Sequence, residues 1–516
     1  MRFWGFGAYA RSSNFPAQNG AGRQKKGVFV RAGFLLVFII PLIAGACFKV
    51  GPKYHRPDIG TPVPDRFEQA SSEIPLAVPD GRWWEGFGNP ELNQMVDEVL
   101  KNNLDIRKAV ARILELRAEV LQTRADRFPF LNFQGEIQKQ GLGRKKTIDS
   151  YSLTFPASFE VDLWGRLAML QDAAASDLLE AEENRRTLAQ TVVADTITLY
   201  LEMESSELRI QVIKQSIDTY RRSLNLVQRR YERGLAPLLD LVQARRVLAE
   251  AKSFLPALRQ ELGITQQNLA VLLGRYPETR PARRLPEDYY KRMDPVPTGL
   301  PSDLLLSRPD IRAAENRLKA LNSRIGAAKA GRFPNITLTG GFGYSSDELD
   351  SLLRSESELR NLALGLVQPL FDAGKLKAGQ KAAEARYAEG VAEYAKTVLT
   401  AFAEVEGALL TRKEQLERRE RVMNFLNEAR ATQKVAQSRY ERGLEEYLNV
   451  LDALQTRFQA EEDLVLVDLS IMTNRVTLHR VLGGGWAQPP PVVIEKEDKI
   501  FDAIPMFPLS RFSDGL

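Results

Sequence analysis

Two rules of hydrophobic spacing alternate along this chain. In the long stretches apolar residues recur in steps of three and four; Ile210, Ile213, Ile217, Tyr220, Leu224, Val227 and Tyr231 form such a series. That spacing is the a/d seam of a left-handed coiled coil. No proline interrupts Leu167 to Arg233 or Leu376 to Arg442, so each stretch predicts a helix of roughly 100 Å at 1.5 Å per residue. The second seam runs Val422, Leu426, Ala429, Gln433, Ala436 and Tyr440. It is narrower and more polar, which predicts that the two helices pack differently. Gly234 and Gly443 follow the last helical residues and suit left-handed C-terminal caps. A second helix is expected just beyond each, over 238–273 and 447–482, making two helical hairpins.

Upstream of each long helix the period changes to two. Leu131 to Gln138, Ile336 to Thr339 and Leu362 to Leu366 alternate apolar with polar or small residues, as strands with one apolar face do. Each insert has room for two strands, joined by the polar stretches Gly141 to Asp149 and Ser345 to Glu358. Four strands cannot close a barrel, and an open sheet leaves two bare edges. Three chains would supply twelve strands, a size found among membrane barrels. A small soluble β-cap on a coiled coil is the plainer alternative.

The same order of elements occurs twice. Asp105-Ile106-Arg107 and Arg127-Phe128-Pro129 return as Asp310-Ile311-Arg312 and Arg332-Phe333-Pro334, at an offset of 205. Arg230-Tyr231-Glu232-Arg233-Gly234-Leu235 returns as Arg439 to Leu444, and Leu273-Gly274 as Leu482-Gly483, at an offset of 209. The gain of four residues falls inside the β insert, where loop tips accept insertions. A period near two hundred residues is that of a duplicated domain rather than a solenoid.

The N-terminus has Arg23, Lys25, Lys26 and Arg31, then the apolar run Phe34 to Ile40, then Ala44-Gly45-Ala46-Cys47. It reads as an export signal over 1–46, too short for a membrane span. Cys47, the single cysteine, follows small residues directly and resembles the lipidated cysteine of a bacterial lipoprotein; a chance cysteine near an ordinary cleavage site is the alternative. Beyond it the chain divides into an N-terminal segment 47–95, a first repeat 96–300 with its β insert over about 128–165, a second repeat 301–486 with its insert over about 333–374, and a proline-containing tail 487–516, expected to be extended.

Hydrophobic content of 44% and charged content of 27% exclude wholesale disorder, and a formal charge of +5 is too small for this length to argue for nucleic acid. With two histidines, His55 and His479, and one cysteine, no His/Cys metal cluster can be assembled. The runs Gly340-Gly341-Phe342-Gly343 and Leu482 to Gly485 lack the ending of a phosphate loop. Trp83 and Trp84 are expected in an apolar core. No catalytic constellation stands out, and the chain is not expected to be an enzyme.

Several segments in this order carry a family resemblance: Val50 to Pro57 after the cysteine, Trp83-Trp84-Glu85-Gly86-Phe87 with Asn89-Pro90-Glu91-Leu92, Phe159 to Gly165, and Arg308 to Arg312. The chain resembles TolC-type outer-membrane efflux proteins, in the lipoprotein branch that includes OprM and NodT. The resemblance implies a homotrimer with a twelve-stranded β-barrel in the outer membrane, continuous with a twelve-helix periplasmic tunnel and girdled by a mixed equatorial belt. It also implies a periplasmic membrane-fusion adaptor and an inner-membrane pump of the resistance-nodulation-division (RND) type as partners, with no cofactor beyond a covalent lipid on Cys47. In family terms Asp240, Asn449 and Asp452 match the polar residues that constrict the periplasmic entrance, and Tyr231 and Tyr440 lie where helix pairs hold the tunnel closed. Exposed or capping carboxylates, and ordinary seam tyrosines, are the alternative readings. A non-conducting, lipid-anchored periplasmic scaffold is the rival function. The paired alternating inserts argue against it, since a scaffold has no use for them.

Overall fold

A computed structural model describes residues 48–58, 60, 62, 66–69, 81–142, 146–285, 296 and 307–484. Cys47, the export signal and the C-terminal tail lie outside them. The two halves fold into the same succession of elements. Helix α1 (Pro90–Asn102) leads into the first repeat, which goes on with α2 (Leu104–Ala125), strands β1 (Phe130–Leu131), β2 (Gln134–Leu142) and β3 (Lys146–Val161), then α3 (Arg166–Glu232) and α4 (Leu238–Leu272). The second repeat contains α5 (Pro309–Ala330), β4 (Asn335–Ser346), β5 (Glu358–Val367), α6 (Lys375–Glu441) and α7 (Tyr447–Val481). Paired helices match in length: 22 residues for α2 and α5, 67 for α3 and α6, and 35 for α4 and α7.

Local chemistry sets the ends of these helices. Asn89 and Asn103 accept the first free N–H groups of α1 and α2. Asp162 accepts from the Leu167 and Ala168 N–H groups, and Asp372 from those of Gly374 and Leu376, at the starts of α3 and α6. At the far ends Gly234 and Gly443 adopt φ of 71° and 76°. Leu235 N–H bonds to the Arg230 carbonyl and Gly234 N–H to that of Tyr231, a Schellman closure that Leu444 and Gly443 repeat. Helix α6 passes through Gly379, Gly390 and Gly407 without a break. At Gly390 a Cβ would sit 2.8 Å from Leu321 and 3.0 Å from Leu318, so close approach of α5 accounts for that glycine.

The long helices have different neighbours along their length. Beside the sheet, α3 packs on α2 and α5, and α5 also packs on α6, giving the layer α2–α3–α5–α6. Toward the turns, α3 packs on α4 and α7, and α7 also packs on α6, giving the layer α4–α3–α7–α6. Helix α3 is therefore internal and α6 lies at an edge. That explains the unequal seams: Ile210, Ile217, Tyr220 and Val227 are buried on α3, while of the matching seam on α6 only Leu426, Ala429 and Tyr440 are buried. The largest apolar cluster lies at the equator, where Trp83, Trp84 and Phe87 of a 3₁₀ turn pack with Val96, Ile197, Tyr200, Met472 and Val476. Both tryptophans are thus core residues.

One antiparallel sheet holds all the strands, in the order β1/β2–β3–β4–β5. Its register aligns Leu131, Phe133 and Ile137 with Leu153, Phe155, Ala157 and Phe159, then with Ile336, Leu338 and Phe342, then with Leu362, Leu364 and Leu366, all on one face. The three leucines of β5 are 69%, 72% and 67% exposed. The opposite face carries Gln134, Gln138, Thr154, Ser158, Thr337, Thr339 and Asn361. Two details depart from the sequence expectation. Pairing continues to Leu142 and resumes at Lys146, so the first turn is far shorter than Gly141 to Asp149. The first strand is also split, because Pro156 opposite Asn132 has no N–H to donate; only the bond from Asn132 N–H to its carbonyl, at 2.9 Å, survives.

Candidate functional site

The two hairpin turns bring the candidate gate residues to one end of the molecule, far from the sheet. On α7 the buried side is formed by Tyr447, Val450, Leu451 and Leu454. Asn449 and Asp452 project from the other side, both exposed. They are three residues apart and share a helical face. Asn449 Nδ2 donates to Glu445 Oε1 at 2.6 Å, and with that neighbour makes the strip more acidic than Asn449 alone suggests. The hydrogen bond from Asn449, and after it that from Arg439, holds the Glu445 carboxyl below the usual range.

Asp240 sits apart from that strip. It lies in the first turn of α4, half-buried, where the helix N-terminus favours negative charge. Burial and the nearby Glu446 carboxylate nonetheless raise its pKa, with Arg230 opposing them. Its acidic neighbour thus comes from the second repeat's turn and its cation from the end of α3, and neither Asn449 nor Asp452 is among them.

The two tyrosines also differ. Tyr231 is 39% exposed and Tyr440 4%. The Tyr440 ring packs 5.3 Å from that of Tyr447, and the Tyr447 hydroxyl shares a 2.9 Å hydrogen bond with Ser223 of α3. Burial, chiefly, pushes the Tyr447 phenol up to about 12, and burial with Asp240 raises that of Tyr440. Within one chain, Tyr440 therefore joins the hairpins and Tyr231 does not.

Arg230 makes a connection that the sequence did not single out. Its guanidinium lies 4.8 Å over the Tyr440 ring and its Nη1 donates to the Glu441 carbonyl at 3.1 Å. The repeat counterpart, Arg439, turns instead to Glu445, at 3.1 Å, and to the Leu444 carbonyl of its own turn. The motif Arg-Tyr-Glu-Arg-Gly-Leu is identical in both repeats, so nothing in it distinguishes the two arginines; the environment across the hairpin does. Higher up, Arg209 of α3 bridges the hairpins again, bonding Glu261 of α4 at 2.8 Å and Glu462 of α7 at 2.9 Å. The tip is a place where two hairpins are fastened by a few polar contacts, with a polar strip left free.

No group of His, Cys, Asp and Glu that could hold a metal ion occurs among the described residues. Among them, no helix is long and apolar enough to cross a membrane.

A family model described as outer membrane efflux protein matches residues 95–275 and 300–484. The chain is 31% identical over 459 residues to the cation efflux system protein CusC of Escherichia coli O6:H1, covering 88% of this chain and 99% of that protein. It is 34% identical over 474 residues to outer membrane protein OprJ of Pseudomonas aeruginosa, covering 89% and 97%. The solved outer-membrane channel OprN matches with a TM-score of 0.80 at 28% identity, over 85% of this chain and 99% of OprN.

Proposed function

The chain belongs to the outer membrane efflux protein family, and on that premise we propose that three copies form a passive exit duct in the outer membrane. The duct is fed by an inner-membrane RND-type pump through a periplasmic adaptor. The sheet is the observation that carries this reading. Four strands present a continuous apolar face, and both outer strands have an unpaired edge, which a bilayer does not tolerate. Closure by three chains gives twelve strands and leaves no edge. The layered helices continue the same wall: α4 and α6 lie at opposite edges of their layer, where each meets the other from a neighbouring copy. A periplasmic scaffold leaves the apolar face of the sheet unexplained.

Asp240, Asn449 and Asp452 constrict the far end by threefold repetition, and the Arg230 and Tyr440 contacts hold the hairpins in the closed arrangement. Opening shifts the hairpins apart when the adaptor favours the open form. A lipid on Cys47 anchors the chain beside the barrel: Val50 N–H bonds the Trp164 carbonyl at the base of the sheet, and Lys49 pairs with Asp172. Solute selection lies chiefly in the pump. The test is the mass of the detergent-solubilised protein together with its conductance in planar bilayers. Trimers that conduct support the duct, and folded monomers or non-conducting trimers refute it.

A further inference from the structure

The register of the sheet gives an inventory of charge on its polar face, which in the duct lines the barrel lumen. Resting on that reading, we infer that Glu136 makes the exit end of the duct favour cations, independently of the carboxylates at the periplasmic tip. Glu136 pairs with Ser152 on the polar side, between Gln134 and Gln138. The other carboxylate on that face, Glu160, is held by Arg166 through bonds of 2.8 to 3.0 Å to both oxygens. It contributes little net charge. The cations Lys139 and Arg360 lie on the apolar face, paired with Asp149 and Glu358 of the same face. Lys146 takes a position of lumen parity at the turn, six residues from Glu136 in register. That is about 20 Å along the strand, beyond the screening length at physiological salt.

The lumen positions level with Glu136 are small: Ser152 of β3 and Ser345 of β4 align with it, and Gly343 is the next lumen position along β4. A Cβ at Gly343 would fall 2.2 Å from the Leu153 carbonyl oxygen, so this part of the wall stays bare and leaves the Glu136 carboxylates exposed to the passage. A twelve-stranded barrel is about 24 Å across between backbones. Three carboxylates reaching inward lie roughly 7 Å from the axis, which at about 0.1 M salt enriches cations there on the order of fourfold. Averaged along the passage, removal of the charge lowers the cation-to-anion permeability ratio roughly two- to threefold.

The experiment measures reversal potentials in planar bilayers under a KCl gradient. The background is an Asp240→Ala, Asp452→Ala trimer, so that the tip no longer dominates. The background is expected to retain a cation preference, Glu136→Gln to reduce it two- to threefold, and Glu136→Lys to turn it toward anions. Permeability ratios unchanged by both Glu136 substitutions would overturn the inference while leaving the duct standing. Absence of conductance from folded trimers of every form would overturn the duct reading, and this inference with it.

Discussion

Arg230→Ala should loosen the hairpins at their tips, and the structure sets the scale. A guanidinium over a tyrosine face contributes about 0.5–2 kcal/mol depending on solvent exclusion, and a hydrogen bond from a charged donor about 1.5–3 kcal/mol. Arg230 is half-buried, so screening reduces both. Its buried Nε has no partner, which offsets part of the gain. A net loss of about 2 kcal/mol per chain is a reasonable centre, and Asp240 is left facing Glu446 without its cation. If these contacts exist only in the closed arrangement, the closed-to-open ratio falls roughly thirtyfold per latch. Single-channel recording should show longer and larger openings, and a large solute normally excluded by the closed tip should pass. Arg439→Ala is the control, since its bonds stay within one turn. Equal behaviour of the two variants, or no change in Arg230→Ala, would refute the latch.

The remaining predictions concern the barrel and the equator. Leu364→Arg places a cation on the apolar face of β5 and should cost about 2–4 kcal/mol near the bilayer midplane, whereas Thr339→Arg on the polar face should be tolerated; yields of heat-resistant trimer compare them, and equal losses would count against the assigned faces. His479 is 4% exposed, stacks 4.4 Å from Trp83, and has no partner for either ring nitrogen. Burial, with help from Arg475 and Arg412, lowers its pKa to about 3. Because the folded value lies below the unfolded one, this group's contribution to stability is intact above about pH 6.5. It is lost as pH falls toward 3, by about 1.4 kcal/mol per unit. His479→Phe should therefore flatten the fall in thermal stability between pH 6 and 4 seen in wild type, and an unchanged profile would show that His479 does not drive it.

Much of this architecture was legible in the residues because it depends on spacing. Proline-free seams and paired motifs located the four hairpin helices to within a residue at either end, and the gain between the two offsets pointed to the β insert. The strands were legible where apolar residues alternate. The split at Asn132 was not, since it arises from Pro156 across the ladder, and cross-strand partners depend on register rather than on local sequence. The tip residues were placed correctly at the turns, but their inequality was hidden. Asp240 faces Glu446 and Arg230, Asn449 and Asp452 face outward, and only Tyr440 of the two tyrosines joins the hairpins. Those differences follow from α3 being internal and α6 lying at an edge, a tertiary fact written in neither copy of the motif. His479 likewise reads as an ordinary polar position near a helix end, and its burial comes from the 3₁₀ turn at Trp83, almost four hundred residues earlier.

The central claim is a membrane duct closed at the hairpin tips, and single-channel conductance of the purified protein in planar bilayers tests it most directly. Wild type should give small, cation-favouring steps, and Asp240→Ala with Asp452→Ala should give larger steps with weaker cation preference. Well-folded trimers that produce no steps in either form would contradict the account and favour a periplasmic scaffold.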